Sequence, residues 1–462
     1  MREKVKTGVL LLLILLSFQL TRMFWMQDGA QASLAIVSPA GTLPPGETEF
    51  KSYLDLYRPL HIYAHSGNNH YQLRLSDSQY GAIWEAVKEA LSKVAGTPGD
   101  PIASNASAWQ QAAGNSLELR YTGQVELNYW WLAANKSSFH RFKTEPFFFD
   151  RVLIPLHDNA IYFRNLQTNQ VWRWNWSTEQ NIVTLADLTQ LTYSSSQRLR
   201  SVQVPEGVSA LSHAGLYVPR RLTALPELMV APPYRAADKS GIVRKFFSIT
   251  PRMPKTEVFA DGEVIESFIT ANQQVLKISN TGLLEYTETV SQPGAELVTL
   301  TQKFEQAFNF IGVHGGWPKS VLADGIRQIG SSGYEFRFMQ VYQGYPLVDS
   351  RPATLSVQVA SDGVKSYASK TYRVLQAGYF PYELRTPEDA LQTADQALGN
   401  KSVADIYLGY YQLDFTALDA EQPFDTDPMY IFPVWVIELN SGEQLLVHAF
   451  SLSNDPGVIR PE

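Results

Sequence analysis

Three spacings of hydrophobic and polar positions divide this chain. Near the start the apolar residues are continuous: Val9 to Leu20 is broken only by Ser17 and Gln19, and the run from Val5 to Met26 covers about 22 residues, enough for a helix to cross a bilayer. Farther along the spacing becomes helical. Ser76-Asp77-Ser78 opens a segment in which Tyr80, Ile83, Trp84, Val87, Leu91 and Val94 line one face, and Gly96 ends it. Elsewhere the pattern alternates. Leu117, Leu119 and Tyr121, then Val125, Leu127, Tyr129 and Trp131, with Thr122-Gly123 between them, predict a hairpin. Strands at Arg151 to Leu156 and Ala160 to Arg164 follow, with Asp158-Asn159 in the turn. Trp172, Trp174 and Trp176 then fall on one face of a strand, which reads first as a core face and second as a platform for stacking a sugar.

Pro232-Pro233 and Lys239-Ser240-Gly241 mark a boundary, because consecutive prolines stiffen a linker and glycine lets it turn. Beyond it the order β-β-α-β-β occurs twice. The first unit runs QVLKIS, turn NTG, LLEYTE, a helix from Leu297 to Phe310, then strands near Gly325 to Ile329 and Tyr334 to Tyr342. The second runs TLSVQV, turn SDG, VKSYAS, a helix from Pro387 to Leu398 with Thr386 as N-cap, then strands near Ala404 to Leu413 and Tyr430 to Glu438. Each helix is expected to cover its own antiparallel sheet. The predicted fold class is α+β: an N-terminal transmembrane helix, then three extracytoplasmic domains, the last two a tandem β-β-α-β-β repeat. The expected divisions are 1–26 (cytoplasmic tip and anchor), 27–48 (stalk), 49–235, 245–350 and 351–462.

Composition agrees with a folded, strand-rich chain: of 462 residues 45% are hydrophobic and 12% aromatic, and pleated faces favour aromatic side chains. A net charge of -7 removes the electrostatic reason to bind nucleic acid. With no cysteine there are no disulfides, thiolate nucleophiles or cysteine metal ligands. Arg2, Lys4 and Lys6 hold the amino end on the cytoplasmic side, while Arg22, Phe24 and Trp25 are placed as anchors at the outer interface. Ala30-Gln31-Ala32 fits a cleavage site but lies about ten residues past Leu20, farther than a signal peptidase usually works, so retention is the expectation. The protein is then expected in the cell membrane, crossing once, with the bulk of the chain outside.

Candidate chemistry is sparse. His61, His65 and His70 crowd together, but on a strand His61 and His65 would sit ~13 Å apart, too far for one ion. Hydrogen-bonded or surface histidines are the better expectation. GVHGGWP, Gly312 to Pro318, lacks the Lys-Ser/Thr ending of a phosphate loop and reads as a helix-ending turn. There is no G-x-S-x-G elbow and no carboxylate pair at a legible glycosidase separation. The expectation is therefore a binding protein rather than an enzyme, with no catalytic, cofactor or metal residues.

The anchor VKTGVLLLLILLSFQLTRMFW, with Ser17, Leu20, Thr21 and Trp25, together with VFADGEVIESFITANQQVLKISNTGLLEY, YEFRFMQVYQGYPLV and FPVWVI, resembles the YycH family. That family comprises membrane-anchored extracytoplasmic regulators of the WalK (YycG) sensor histidine kinase in low-GC Gram-positive bacteria. The likeness spans the chain, more patchily between about 95 and 240. One departure is that Phe246-Phe247 is followed by Ser248-Ile249-Thr250-Pro251 where the family usually has an acidic turn. The resemblance implies three outer domains and a complex, through transmembrane helices, with the kinase and a YycI-like partner that adjusts cell-wall metabolism. It brings no catalytic residue and no cofactor. Ser17, Gln19 and Thr21 are the polar groups available for a partner contact inside the bilayer, Ser17 and Thr21 sharing a face. A homo-oligomer is a further expected partnership. The competing readings are a cleaved, secreted carbohydrate- or peptide-binding protein and a cell-wall hydrolase.

Overall fold

The computed structural model describes residues 53–450 and 458–459, apart from 95–98, 135–146, 157, 176–196, 203–215, 221–224, 233–238, 248–250, 252–253, 260–262, 289–298, 319, 331, 349–353, 379–383, 400 and 413–428. The anchor, the stalk, Trp176 and Asp261-Gly262, a pair whose composition reads as a turn, lie outside the described residues, among which no helix is long and apolar enough to cross a membrane. Residues 46–462 form one compact unit.

The amino-terminal sheet has nine strands: β1 (His61–Ser66), β2 (Asn69–Arg74), β3 (Ile102–Ser104), β4 (Asn115–Glu126), β5 (Phe148–Pro155), β6 (Ala160–Asn165), β7 (Gln170–Asn175), β8 (Gln197–Ser201) and β9 (Tyr217–Pro219), in the order β3-β7-β6-β5-β4-β1-β2-β8-β9. Helix α1 (Tyr80–Val94) forms where the spacing predicts, and Tyr80, Ile83, Trp84, Val87 and Leu91 are buried in the sheet's core. The opposite face of the sheet is covered near β5 to β7 by α2 (Ala106–Ala113), whose N-cap Asn105 accepts from the Ala108 amide and whose Trp109 is buried with Leu153, Tyr162 and Val171. Trp174 stands edge-on to Trp131 at 4.8 Å and Trp172 to Phe147 at 4.2 Å, so the two described members of the tryptophan row pack into the protein.

The hairpin expected at Thr122-Gly123 does not form. Asn115 to Glu126 is one strand with a register shift between Arg120 and Val125, and the second alternating block is α3 (Leu127–Ala134). Its Tyr129, Trp130 and Trp131 are all buried, and a helix apolar on every side gives no helical period to read. Glu126 starts the helix by accepting from the Tyr129 amide at 3.1 Å. Gly123 serves a crossing instead of a turn: a Cβ there would run into the main-chain oxygen of Asp324.

The remaining strands are β10 (Leu228–Ala231), β11 (Lys255–Val258), β12 (Val264–Ile269), β13 (Gln274–Ser279), β14 (Leu283–Glu288), β15 (Val321–Ile329), β16 (Gly333–Tyr342), β17 (Tyr345–Val348), β18 (Leu355–Ala360), β19 (Gly363–Lys370), β20 (Arg373–Ala377), β21 (Val403–Gln412), β22 (Met429–Leu439), β23 (Gln444–His448) and β24 (Val458–Ile459). They form one 15-stranded sheet with two halves. The middle half runs β11-β12-β13-β14-β19-β18-β16-β15. The carboxyl half runs β17-β21-β22-β10-β20, with β23 beside β22 and β24 beside β23. Short β17 joins them, antiparallel to β16 and parallel to β21. Helix α4 (Lys239–Phe246) occupies the expected Lys-Ser-Gly linker and buries Val243 and Phe246. Helix α5 (Leu300–His314), opened by a Thr299–Gln302 capping box, packs on β16, β18 and β19. Helix α6 (Pro387–Leu398), capped by Thr386, packs on β22, β23 and β24.

This topology corrects the tandem repeat. The first unit keeps its element order and the second gains β20 between its hairpin and α6, while the β18-β19 hairpin of the second pairs into the sheet of the first, with β18 on β16 and β19 on β14. Leu355, Val357, Val359 and Tyr367 therefore share a core with Phe304, Ala307 and Ile311 of α5. Alternation specifies which residues share a face and leaves the choice of sheet to tertiary packing. The place beside β22 is taken by β10, from nearly 200 residues upstream.

Candidate functional site: a buried ionic seam

The expected partner-contact residues Ser17, Gln19 and Thr21, and the interface anchors Arg22, Phe24 and Trp25, lie outside the described residues. Within them, the densest collection of ionisable side chains sits where the amino-terminal sheet meets the carboxyl half-sheet. On β4, Leu117, Leu119 and Tyr121 turn inward to the core, which directs Glu118 and Arg120 to the opposite face. Asp405 of β21 reaches that face, where Glu118 is buried and only 11% of the Arg120 side chain is exposed.

Arg120 Nη1 donates to both carboxylate oxygens of Asp405 at 3.0 and 2.9 Å, and its Nε donates to Glu118 at 2.7 Å. Arg151, the next strand's contribution, donates to the same Asp405 at 2.8 Å. Asp405 thus accepts from two guanidinium groups belonging to a different sheet. The Arg120 guanidinium also lies over the Tyr63 ring at 4.0 Å. Burial disfavours the charge on Arg120, but Asp405 and Glu118 outweigh it and hold the group firmly protonated. Burial likewise pushes Glu118 up, yet Arg120 and the hydrogen bond from His65 prevail and keep its carboxyl well below the usual range.

Behind Glu118 stands a short imidazole relay. Gly67, with φ 56°, allows a tight hairpin that sets His65 opposite His70. Their Nδ1 atoms are 2.8 Å apart, and His65 Nε2 is 3.1 Å from Glu118. Because the carboxylate accepts, His65 carries a proton on Nε2, and the two Nδ1 atoms share one hydrogen between them. His70 also packs on the Tyr217 ring at 4.1 Å. Burial first, and the neighbouring His65 second, bring the His70 pKa down to about 4. His61 and His65 both lie on β1, and cross-strand pairing brings His65 and His70 together. Among the described residues no group of three or more His, Asp or Glu side chains is arranged to hold a metal.

At the other end of the seam Glu438 on β22 is the direct cross-strand neighbour of Asp405, and its Oε2 lies 3.8 Å from Arg151 Nη2. Burial raises its pKa to about 8; Arg151 opposes, and Asp150, Asp405 and Asp324 reinforce. A second contact crosses close by. Thr122 donates to the Ala323 carbonyl at 2.8 Å, at the point where β15 bulges between Ala323 and Gly325. Asp324 there is raised to about 6 by burial, against Arg337 and a hydrogen bond with Thr122. None of this was legible as a site. The available signal was charge inside otherwise apolar strands, Asp150-Arg151 in FFDRVLIP and Asp405 in VADIYLGYYQ, since charged side chains are buried only when paired.

GVHGGWP is the helix-ending turn its composition suggests: α5 stops at His314, Gly315 abuts the Tyr367 hydroxyl, Gly316 adopts φ 76°, and Trp317 is buried.

An α+β molecule whose antiparallel-rich sheets are locked together by an internal ionic seam defines the class. No protein-family model matches the chain, and no curated protein does. Among solved structures, the crystal structure of YycH from Bacillus subtilis matches with a TM-score of 0.54 at 14% identity, covering 85% of this chain and 96% of that one. The fold is YycH-like. An uncharacterized protein from Eubacterium rectale matches at a TM-score of 0.32 and 10% identity, over 52% of this chain and 81% of that one.

Proposed function

We propose that this chain is a membrane-anchored extracytoplasmic regulator of a WalK/YycG-like sensor histidine kinase, acting with a YycI-like partner to adjust cell-wall metabolism, without catalysis of its own. The observation that carries this reading is the YycH-like fold over 85% of the chain. The run from Val5 to Met26 supports it by supplying a spanning segment of suitable length and flanking charge. Outer domains bias a two-state kinase only through different affinity for its states, and a few kcal/mol of difference changes output several-fold.

The test is co-expression of the full-length chain with the kinase in membranes, scored by co-purification and kinase autophosphorylation. Co-purification with altered autophosphorylation is the expected result. Failure to associate, or a mature protein beginning at Ser33 and found only in the medium, overturns the reading. Ser17→Leu with Gln19→Leu is expected to weaken recovery of the kinase, and unchanged recovery removes those residues from the contact.

A further inference from the structure

The seam holds more acid than base. Glu118, Asp150, Asp405 and Glu438 converge on Arg120 and Arg151, Asp324 approaches from β15, and Arg164 is a further cation near Glu118 and Asp150. Tyr407 on β21 adds a partly buried hydroxyl, which accepts at 3.3 Å from Nε2 of Gln444, the cross-strand neighbour of Glu438. Asp405 and Glu438 occupy directly opposed positions on β21 and β22, and both look toward the single guanidinium of Arg151, at 2.8 and 3.8 Å. Two ionised carboxylates so placed repel each other and compete for one partner.

We propose that the seam is a proton-operated clamp between the amino-terminal sheet and the carboxyl half-sheet. While Glu438 is neutral, Asp405 takes both guanidinium groups and the sheets are held together. When Glu438 ionises, it draws on Arg151, adds a charge beside Asp405, and the seam loosens. Only 19% of the Glu438 side chain is reached by solvent, so water does little to screen that charge. The raised pKa of Glu438 sets the sign. The clamped state holds a proton that a state with Glu438 in water has lost above the ordinary carboxylate range, so clamping is favoured below that range and is lost as pH rises toward 8. The clamp is independent of the proposed kinase partner.

The test is amide hydrogen exchange on the full-length chain between pH 6 and pH 8, corrected for intrinsic exchange. One linked proton predicts that the opening constant for β4 and β21 amides rises roughly tenfold per pH unit. Amides of α5 and β16 should lack that slope. Glu438→Gln keeps the neutral shape and should flatten the slope. A wild type without slope, or a variant with the wild-type slope, overturns the clamp. Should Glu438→Gln not fold, the Glu438 carboxyl can be followed in the wild-type chain by carbon-13 NMR. A midpoint well above neutrality supports the clamp, and one in the ordinary carboxylate range overturns it.

Discussion

The amino-terminal sheet meets the rest of the molecule through two contrasting interfaces. Toward the middle half-sheet the contact is aromatic: Tyr57 stacks on Tyr129 at 5.6 Å, and Phe304 of α5 closes against both, at 5.6 and 4.9 Å. The two regions thereby share one continuous hydrophobic core. Toward the carboxyl half-sheet the contact is ionic, built on Arg120, Arg151 and Asp405. Apolar burial is non-directional and carries no proton linkage. A buried ion network is directional, fails when one member is removed, and ties its strength to pH. The molecule thus has one joint fixed by shape and another set by charge.

The sharpest way to break this contrast is Asp405→Ala. It strands two buried guanidinium groups and is expected to cost about 4 kcal/mol in urea denaturation, more than any neutral replacement nearby. Phe304→Ala should cost about 3 kcal/mol through the cavity it leaves, with the same loss at pH 6 and pH 8. Equal pH dependence of the two variants would erase the distinction. Asp324→Asn addresses the crossing of β4 and β15. Because the native carboxyl is raised to about 6, wild-type stability from this group is present below pH 4 and lost as pH rises through 6. The variant should remove that decline, worth about 3 kcal/mol at most. Thr122→Val, which deletes one hydrogen bond to the Ala323 carbonyl, should cost about 1 kcal/mol in the same assay. Lys401→Ala cuts only a surface pair with Glu443 and should stay within about 0.5 kcal/mol, fixing the baseline.

What could be read in advance follows from the range of each interaction. Helices α1 and α6 were legible because their apolar spacing and caps are local: the Ser76-Asp77-Ser78 start, and Thr386 with Pro387. The β13-β14 and β18-β19 hairpins were legible because Gly282 and Gly363, at φ 96° and 122°, announce their turns. Helix α3 was hidden because its residues are buried on every side, so their alternation mimicked a strand. The site was hidden for a related reason. Glu118 and Arg120 sit on the polar face of an alternating strand, a face normally left to water, and their partner Asp405 on β21 comes almost 300 residues later. The anchor residues Ser17, Gln19 and Thr21 remain a reading of the sequence.

The crossed hairpin also constrains how the chain assembles during synthesis. β14 has no neighbour on one edge until residues 363–370 have left the ribosome, and β10 waits for residues 429–439. Unpaired strand edges are templates for association between chains. The nascent protein therefore spends most of its production time with open edges, and a stop codon anywhere before about residue 440 should yield aggregation-prone fragments rather than a smaller stable product.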